Sequence, residues 1–133
     1  QTARSYIFTT AAPPFVAEAL RASLAIVRAD AGRRTHLFAL VDRFRERMRA
    51  LPWVLFDSRT PIQPVVIGAS KAALAAMQSL EAQGFFVPAI RPPTVAQGKA
   101  RLRVVLSARH EEVDVEQMLN ALARAIGHAR TEH

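Results

Sequence analysis

The sequence contains no cysteine, no long apolar run and few lysines. Across its 133 residues, the absence of cysteine excludes disulfide bonds and thiolate metal sites. Half of the residues are apolar, yet no run approaches the length of a membrane span, and no signal-peptide pattern opens the chain. We therefore expect one soluble, cytoplasmic domain with a real core and no membrane partner. Since the sequence starts at Gln1 and not at a methionine, we also expect a fragment of a longer chain.

Only two lysines are present, Lys71 and Lys99. Arginine supplies the other positive charges, and the formal net charge is +7. Clustered basic residues would indicate phosphate binding and a nucleic-acid partner. Here the arginines are spread along the chain, and no aromatic residues are interleaved with them for base stacking. We therefore expect a solvated, arginine-rich surface and no nucleic-acid partner. A non-enzymatic, arginine-rich interaction domain that binds RNA is the alternative from a different functional class.

The sequence also lacks the short motifs of several enzyme classes. It has no glycine-rich phosphate loop, no nucleophile elbow and no carboxylate pair in an evident cleft. Its four histidines, His36, His110, His128 and His133, share no ligand spacing, so we expect no metal site. We expect His36 and His133 to be solvated and His110 to have a surface or supporting role. The chain alone is not a complete enzyme, and we assign no catalytic residue to it.

The first part of the chain predicts a long helix with a break. Pro13 and Pro14 mark its start, because proline is favoured in a first helical turn, and Asp30-Ala31-Gly32 interrupts it. A second helix is predicted from about Arg34. Apolar residues recur three and four positions apart in both helices, which predicts two packing faces. These residues are Val16, Leu20, Leu24 and Val27 in the first helix, and Leu37, Leu40, Val41, Phe44 and Met48 in the second.

The second part alternates short strands with helices. Four strands are predicted from β-branched and aromatic content, at 53–56, 62–67, 86–90 and 101–107. One helix should run from an N-cap at Ser70 to Gly84, and the last from Asp114, in a capping box with Gln117, to Gly127. The residues expected in the core are Leu102, Val104, Leu106, Leu119 and Leu122. The predicted fold class is α+β, a small antiparallel sheet covered by helices and preceded by a long broken helix.

Arg91 and Thr94 stand at the start of a stiff loop between the last two predicted strands. Pro92 and Pro93 fix their own φ and push the preceding residue into extended geometry, so Arg91 leaves the strand as an outward side chain. A guanidinium matches a carboxylate in two parallel hydrogen bonds, and a nearby hydroxyl adds another contact. From residue types alone, two interpretations stay open: a carboxylate site, or a solvated arginine in a proline turn.

A longer motif identifies a family resemblance. Residues 84–95, Gly-Phe-Phe-Val-Pro-Ala-Ile-Arg-Pro-Pro-Thr-Val, followed by residues 98–110, resemble the C-terminal part of the 8-amino-7-oxononanoate synthases, which are PLP-dependent α-oxoamine synthases. Residues 4–14 and 62–68 are similar too, and the resemblance covers essentially the whole chain. Its most specific part is Ile-Arg-Pro-Pro-Thr-Val. One departure is Ala96, where the family usually has proline.

The resemblance implies a reaction and a set of binding residues. The family condenses L-alanine with a pimeloyl thioester, carried by CoA or by acyl carrier protein, with loss of carbon dioxide in biotin biosynthesis. By the same resemblance, Arg91 would bind the carboxylate of alanine and Thr94 would contact substrate. Thr9 and Thr10 would reach the phosphate of pyridoxal 5′-phosphate in the partner subunit of a homodimer.

The resemblance also implies how the chain is divided. Residues 1–12 would be a lead-in from a PLP-binding large domain, residues 13–50 connecting helices, and residues 51–133 the C-terminal small domain of a fold-type I PLP enzyme. Neither Lys71 nor Lys99 matches the family's cofactor lysine, which would lie before residue 1. We therefore expect this fragment to be inactive alone. The alternative within the same chemistry is a sister enzyme such as glycine C-acetyltransferase.

Overall fold

The computed structural model of the chain describes residues 13–51 and 53–131. The chain divides into two compact units, Gln1–Gly32 and Arg33–His133. In chain order the elements are α1 (Pro14–Ala29), α2 (Ala31–Arg49), β1 (Val54–Leu55), β2 (Ile62–Gly68), α3 (Ser70–Glu81), β3 (Ala89–Ile90), β4 (Ala100–Val105) and α4 (Glu112–Thr131).

In the first unit, α1 starts at Pro14 and ends just before Asp30, as the sequence predicts. Its end is closed by the Asp30 amide, which donates to the Ile26 carbonyl at 2.9 Å. The predicted packing face of α1 is not buried, because no residue of this helix is.

In the second unit, α2 supplies one side of the hydrophobic core. The helix begins three residues before the predicted start near Arg34. Its predicted apolar face is confirmed, since Leu40, Val41, Phe44 and Met48 are all buried. On its outer side α2 is linked to α4 by the Arg43 guanidinium, which lies 3.0 Å from Glu112 and 2.9 Å from Glu116. These exposed ion pairs add little stability beside the apolar contacts.

The four strands form one antiparallel sheet in the order β1-β2-β4-β3. Ile62 is opposite Val105 in the β2–β4 pair, and Ala89 is opposite Leu102 in the β3–β4 pair. One face of the sheet is buried beneath helices, with Val65, Leu102 and Val104 pointing into the core. The helix α3 packs on this face, and α4 packs against α3. The α+β prediction is thus confirmed.

All five predicted core residues are buried, with exposed fractions of at most 5%. They are Leu102, Val104 and Leu106 from the β4 region and Leu119 and Leu122 from α4. Because Leu102, Val104 and Leu106 are two positions apart, they share one face of an extended segment. The alternation of inward-facing and outward-facing side chains that the sequence predicts for this segment is therefore confirmed.

Two strands are shorter than predicted. Only Val54–Leu55 of the predicted 53–56 and only Ala89–Ile90 of the predicted 86–90 have strand pairing. Pro88 has no amide hydrogen and cannot donate to β4. The segment before Ala89 therefore makes a single backbone hydrogen bond to β4, from the Arg103 amide to the Pro88 carbonyl at 2.9 Å.

Pro64 lies inside β2 without weakening its pairing to β4. The Pro64 carbonyl accepts from the Phe56 amide at 3.1 Å, so its nitrogen also faces the β1 side. In an antiparallel ladder the amide and carbonyl of one residue point the same way. The nitrogen of Pro64, which has no hydrogen to donate, therefore faces the chain just beyond the end of β1. The hydrogen bonds between β2 and β4 do not involve it.

The predicted helix ends need three corrections. Ala69, not Ser70, precedes the first turn of α3, and no side chain caps that end. In α4, Asp114 accepts from the Glu111 amide at 2.8 Å, so it reaches back from the third helical position and is not itself the N-cap. Gly127 does not end α4, which continues to Thr131. Gly84 does close α3, since its amide and the next one donate back to Glu81 and Leu80 at 2.9 Å.

Candidate functional site

The loop of residues 91–99 joins β3 to β4 and carries the predicted site residues. Its ends are fixed by the sheet, because Ile90, just before the loop, is paired with Arg101, the second residue after it. Inside the loop, the Thr94 amide donates to the Arg91 carbonyl at 3.0 Å, and the Lys99 amide donates to the Ala96 carbonyl at 3.0 Å. Two consecutive turns therefore hold the loop.

The first of these turns brings Arg91 and Thr94 together. They are its first and last residues, so their Cα atoms lie within the short span of a β-turn. Pro92 and Pro93 occupy the middle, and the peptide bond between them is cis. Both Arg91 and Thr94 are exposed, and within residues 13–51 and 53–131 the Arg91 guanidinium has no hydrogen bond or ion pair. The turn thus presents a free fork of donors beside a hydroxyl.

A second arginine lies on the sheet next to the loop. The guanidinium of Arg101 stacks over the ring of Phe56 at 5.4 Å, and its Nε donates to the Lys99 carbonyl at 3.1 Å. The cation–π contact and the hydrogen bond both restrain this side chain. Strand alternation places Arg101 on the face opposite to the predicted core residue Leu102. It does not predict Phe56 as the neighbour of Arg101, because these residues meet only through the strand order of the sheet.

The position of Phe56 depends on a polar network around Gln63. This glutamine is completely buried in β2, where its Nε2 donates to the carbonyls of Ser58 and Thr60 at 3.0 and 2.6 Å. Its Oε1 accepts from Arg45 of α2 at 3.1 Å, and the same guanidinium nitrogen donates to the Ser58 carbonyl at 2.8 Å. All polar atoms of Gln63 are therefore satisfied, and the segment that follows β1 is fixed to both α2 and β2.

The histidines have structural contacts. His36 was expected to be solvated, but it is partly buried, and its Nε2 donates to the His110 carbonyl at 2.8 Å. The Nδ1 of His110 accepts from the Ser107 amide at 3.2 Å. His128 and His133 lie outside the residues whose side chains are described. In the described ranges, no group of three or more His, Cys, Asp or Glu side chains is arranged to hold a metal ion.

Both lysines of the chain are exposed: Lys71 lies in the first turn of α3 and Lys99 at the end of the loop. Thr9 and Thr10, the predicted ligands of the cofactor phosphate, lie outside the described residues. Across 13–51 and 53–131, no helix combines the length and apolar content of a membrane span.

Two curated proteins that are similar to this chain carry the same name. The 8-amino-7-oxononanoate synthase of Burkholderia thailandensis is 56% identical over 128 residues, which cover 95% of this chain and 32% of that protein. The 8-amino-7-oxononanoate synthase of Burkholderia mallei is 56% identical over 131 residues, covering 97% and 33%. The chain thus spans about a third of the length of the curated relatives it matches.

Two solved structures have the same fold as this chain over nearly its whole length. The serine palmitoyltransferase of Sphingomonas wittichii superposes with a TM-score of 0.88 at 27% identity, covering 98% of this chain and 33% of that one. The 8-amino-7-oxononanoate synthase from Francisella tularensis superposes with a TM-score of 0.80 at 25% identity, covering 96% and 37%. The predicted resemblance is therefore confirmed. Because the profile of the family described as aminotransferase class I and II also matches residues 1–122, the chain belongs to that family.

Proposed function

We propose that this chain is part of an 8-amino-7-oxononanoate synthase. The full-length protein would condense L-alanine with a pimeloyl thioester and release 8-amino-7-oxononanoate, carbon dioxide and the free thiol carrier, a step of biotin biosynthesis. The observation that carries this proposal is the 56% identity to proteins of that name along 95% of the chain. A glycine C-acetyltransferase and an RNA-binding arginine-rich domain are less favoured, because the curated relatives with this identity carry neither name.

In the proposed reaction, Arg91 binds the carboxylate of alanine and Thr94 contacts substrate. The support is the free guanidinium at the start of a hydrogen-bonded turn, with the Thr94 hydroxyl at the other end of that turn. A guanidinium without a carboxylate partner in the protein is available for a carboxylate in the substrate. The cation–π contact of Arg101 with Phe56 and the pairing of Ile90 with Arg101 restrain the two ends of the loop.

The cofactor would be pyridoxal 5′-phosphate, bound mainly by the part of the full-length protein outside this chain. When bound, it withdraws electrons from the reacting carbon of the amino acid. From this chain, Thr9 and Thr10 would donate hydroxyl hydrogen bonds to the cofactor phosphate of the neighbouring subunit.

We further propose a cytoplasmic homodimer. In it, residues 1–12 lead in from a large domain, residues 13–50 form connecting helices and residues 51–133 form the small domain. The homodimer would bring Thr9 and Thr10 of one subunit to the cofactor of the other. The thiol carrier of the pimeloyl group is either CoA or acyl carrier protein.

The test is an assay of the purified full-length protein with PLP. L-Alanine is supplied with pimeloyl-CoA in one reaction and with pimeloyl-acyl carrier protein in another, and 8-amino-7-oxononanoate is measured by mass spectrometry. We expect this product with at least one carrier. A parallel reaction with glycine and acetyl-CoA is the control for the sister enzyme, and turnover there without turnover of alanine would overturn the proposal.

A further inference from the structure

A cleft of about 440 Å³ opens at the edge of the sheet, far along the strands from the loop. Its walls are the segment 84–87, the end of β4 and the first turns of α4. The loop of residues 91–99 enters β4 at Ala100, whereas the cleft borders β4 from Val104 onward. The cleft is therefore separate from the residues that we assign to substrate binding.

The cleft exposes the last residue of β4, Val105, on the side that faces β3. The last bond between β4 and the β3 side is the one from the Arg103 amide to the Pro88 carbonyl. Because backbone groups two residues apart point the same way, the Val105 amide also faces the β3 side. No described residue accepts a hydrogen bond from it there, while the neighbouring Leu106 amide bonds to Pro61 on the β2 side at 2.9 Å. The free edge of β4 at this wall of the cleft is therefore the backbone of one residue, Val105.

The other walls are apolar. Phe86 is 87% exposed, more than any other large apolar side chain among the described residues. Val87, Leu106 and Val115 form the base of the cleft and belong to the buried core. Together the ring of Phe86 and this apolar base make a contiguous apolar patch, a feature that marks interaction surfaces.

The titratable groups in the cleft do not call for a charged occupant. Among its lining residues only His110 and Asp114 are titratable. The His110 ring accepts from the Ser107 amide, and the Asp114 carboxylate accepts from the Glu111 amide. Both side chains therefore serve the turn before α4, and the occupant best matched to this cleft is apolar with a free backbone.

We propose that an extended, apolar segment of the full-length protein, from outside residues 1–133, adds to the free edge of β4 and covers Phe86. Backbone bonds to a strand edge combined with an apolar pocket are the features of strand addition. The length of the relatives supports a segment of the same polypeptide, because this chain accounts for 32% of one and 33% of another. The proposal rests on the proposed function insofar as it takes this chain to be part of a longer synthase.

Photo-crosslinking of the full-length protein tests the occupant. Phe86 is replaced by p-benzoylphenylalanine, the protein is irradiated, and the linked peptides are mapped by mass spectrometry. We expect an intramolecular link from position 86 to a segment outside residues 1–133. A link to a second copy, a link within residues 1–133, or no link would each overturn the proposal. The matched control is the same replacement at Phe38, an exposed aromatic residue of α2 that does not line this cleft. It should not link to that segment.

Hydrogen exchange tests the strand edge in a second way. In the full-length protein we expect the Val105 amide to exchange at least about tenfold more slowly than an open amide, because it would donate to the added segment. Exchange at the open rate would count against strand addition. Neither measurement needs catalysis, so an inactive protein with the expected link would reject only the proposed reaction. An active protein without the link would reject only this docking.

Discussion

Arg91 is the residue whose side chain carries most of the site assignment. The sequence places it at the start of a proline turn, and the structure adds that the guanidinium is exposed and has no described partner. An arginine that supported the fold would be bonded to it, as Arg45 is to Ser58 and Gln63. The contrast between these two arginines favours a binding role for Arg91 over a structural one.

Replacing Arg91 in the full-length protein should impair alanine binding without unfolding the protein. Arg91→Lys keeps the charge but loses the fork, which we expect to cost about 1.5–3 kcal/mol, or roughly ten- to a hundredfold in kcat/KM for alanine. Arg91→Ala should cost more. The measurements are steady-state kinetics, the change in cofactor absorbance on titration with alanine, and the melting temperature.

The control for Arg91 is Arg109→Ala, since Arg109 is another exposed loop arginine, at the opposite end of β4. It should leave alanine binding unchanged. Normal alanine binding by Arg91→Ala would reject its role as the carboxylate ligand, and a loss explained by a lowered melting temperature would show that Arg91 is a structural residue.

Gln63 shows what cannot be predicted at this scale. Strand alternation places it on the same face as Val65, so its burial follows from the sequence pattern. Its donor Arg45 lies 18 residues earlier, in a helix, and the acceptors of its own Nε2 are carbonyls of the intervening turn. A pattern of residue types contains no information on which distant donor meets a buried amide.

At the scale of elements, apolar periodicity predicts which positions are buried, whereas single capping residues do not predict where the helices begin and end. The core-facing positions of α2, β4 and α4 follow from spacings of two, three and four. The ends differ because Ser70, Asp114 and Gly127 are each compatible with more than one helical position. The short β3 reflects Pro88, whose effect on pairing depends on which side of the strand faces a neighbour.

Leu106 tests the contribution of the β4 region to the core. The side chain is 5% exposed at the point where the chain leaves the sheet. Leu106→Ala in the full-length protein should lower the free energy of unfolding by about 2–5 kcal/mol, through lost burial and a residual cavity. Urea denaturation measures this change. The control Val113→Ala, at an exposed position of α4, should stay within about 0.5 kcal/mol, and an equal loss in both variants would contradict the assignment of Leu106 to the core.

At the scale of the whole molecule, the α+β architecture is predictable because the amphipathic elements of the second unit agree with it. The exposed face of α1 and the open cleft beside β4 are not explained by this chain alone. Both are apolar surfaces that a longer polypeptide has the means to cover.

Thr9 and Thr10 test the dependence of one subunit on the other. Both lie in a segment whose sequence predicts extended structure ahead of the proline-initiated α1. In the full-length protein, the double change Thr9→Ala and Thr10→Ala should weaken PLP binding by at least about tenfold, because hydrogen bonds to a charged phosphate are lost. Absorbance titration of the apoprotein with PLP measures this affinity. Ser5→Ala, which removes a hydroxyl from the same segment, is the control, and unchanged PLP affinity in the double variant would reject the assignment.

The turns at Gly84 and Gly98 have a consequence for the handedness of the residues allowed there. Both have positive φ, 86° and 74°, and open space where a β-carbon would stand. An L-alanine would fit sterically but would adopt a backbone geometry that L residues disfavour. The mirror-image residue, D-alanine, has its natural preference at these angles and would lose less conformational entropy on folding than glycine. A semisynthetic protein with D-alanine at position 84 should therefore unfold at a higher urea concentration, whereas L-alanine should lower that midpoint.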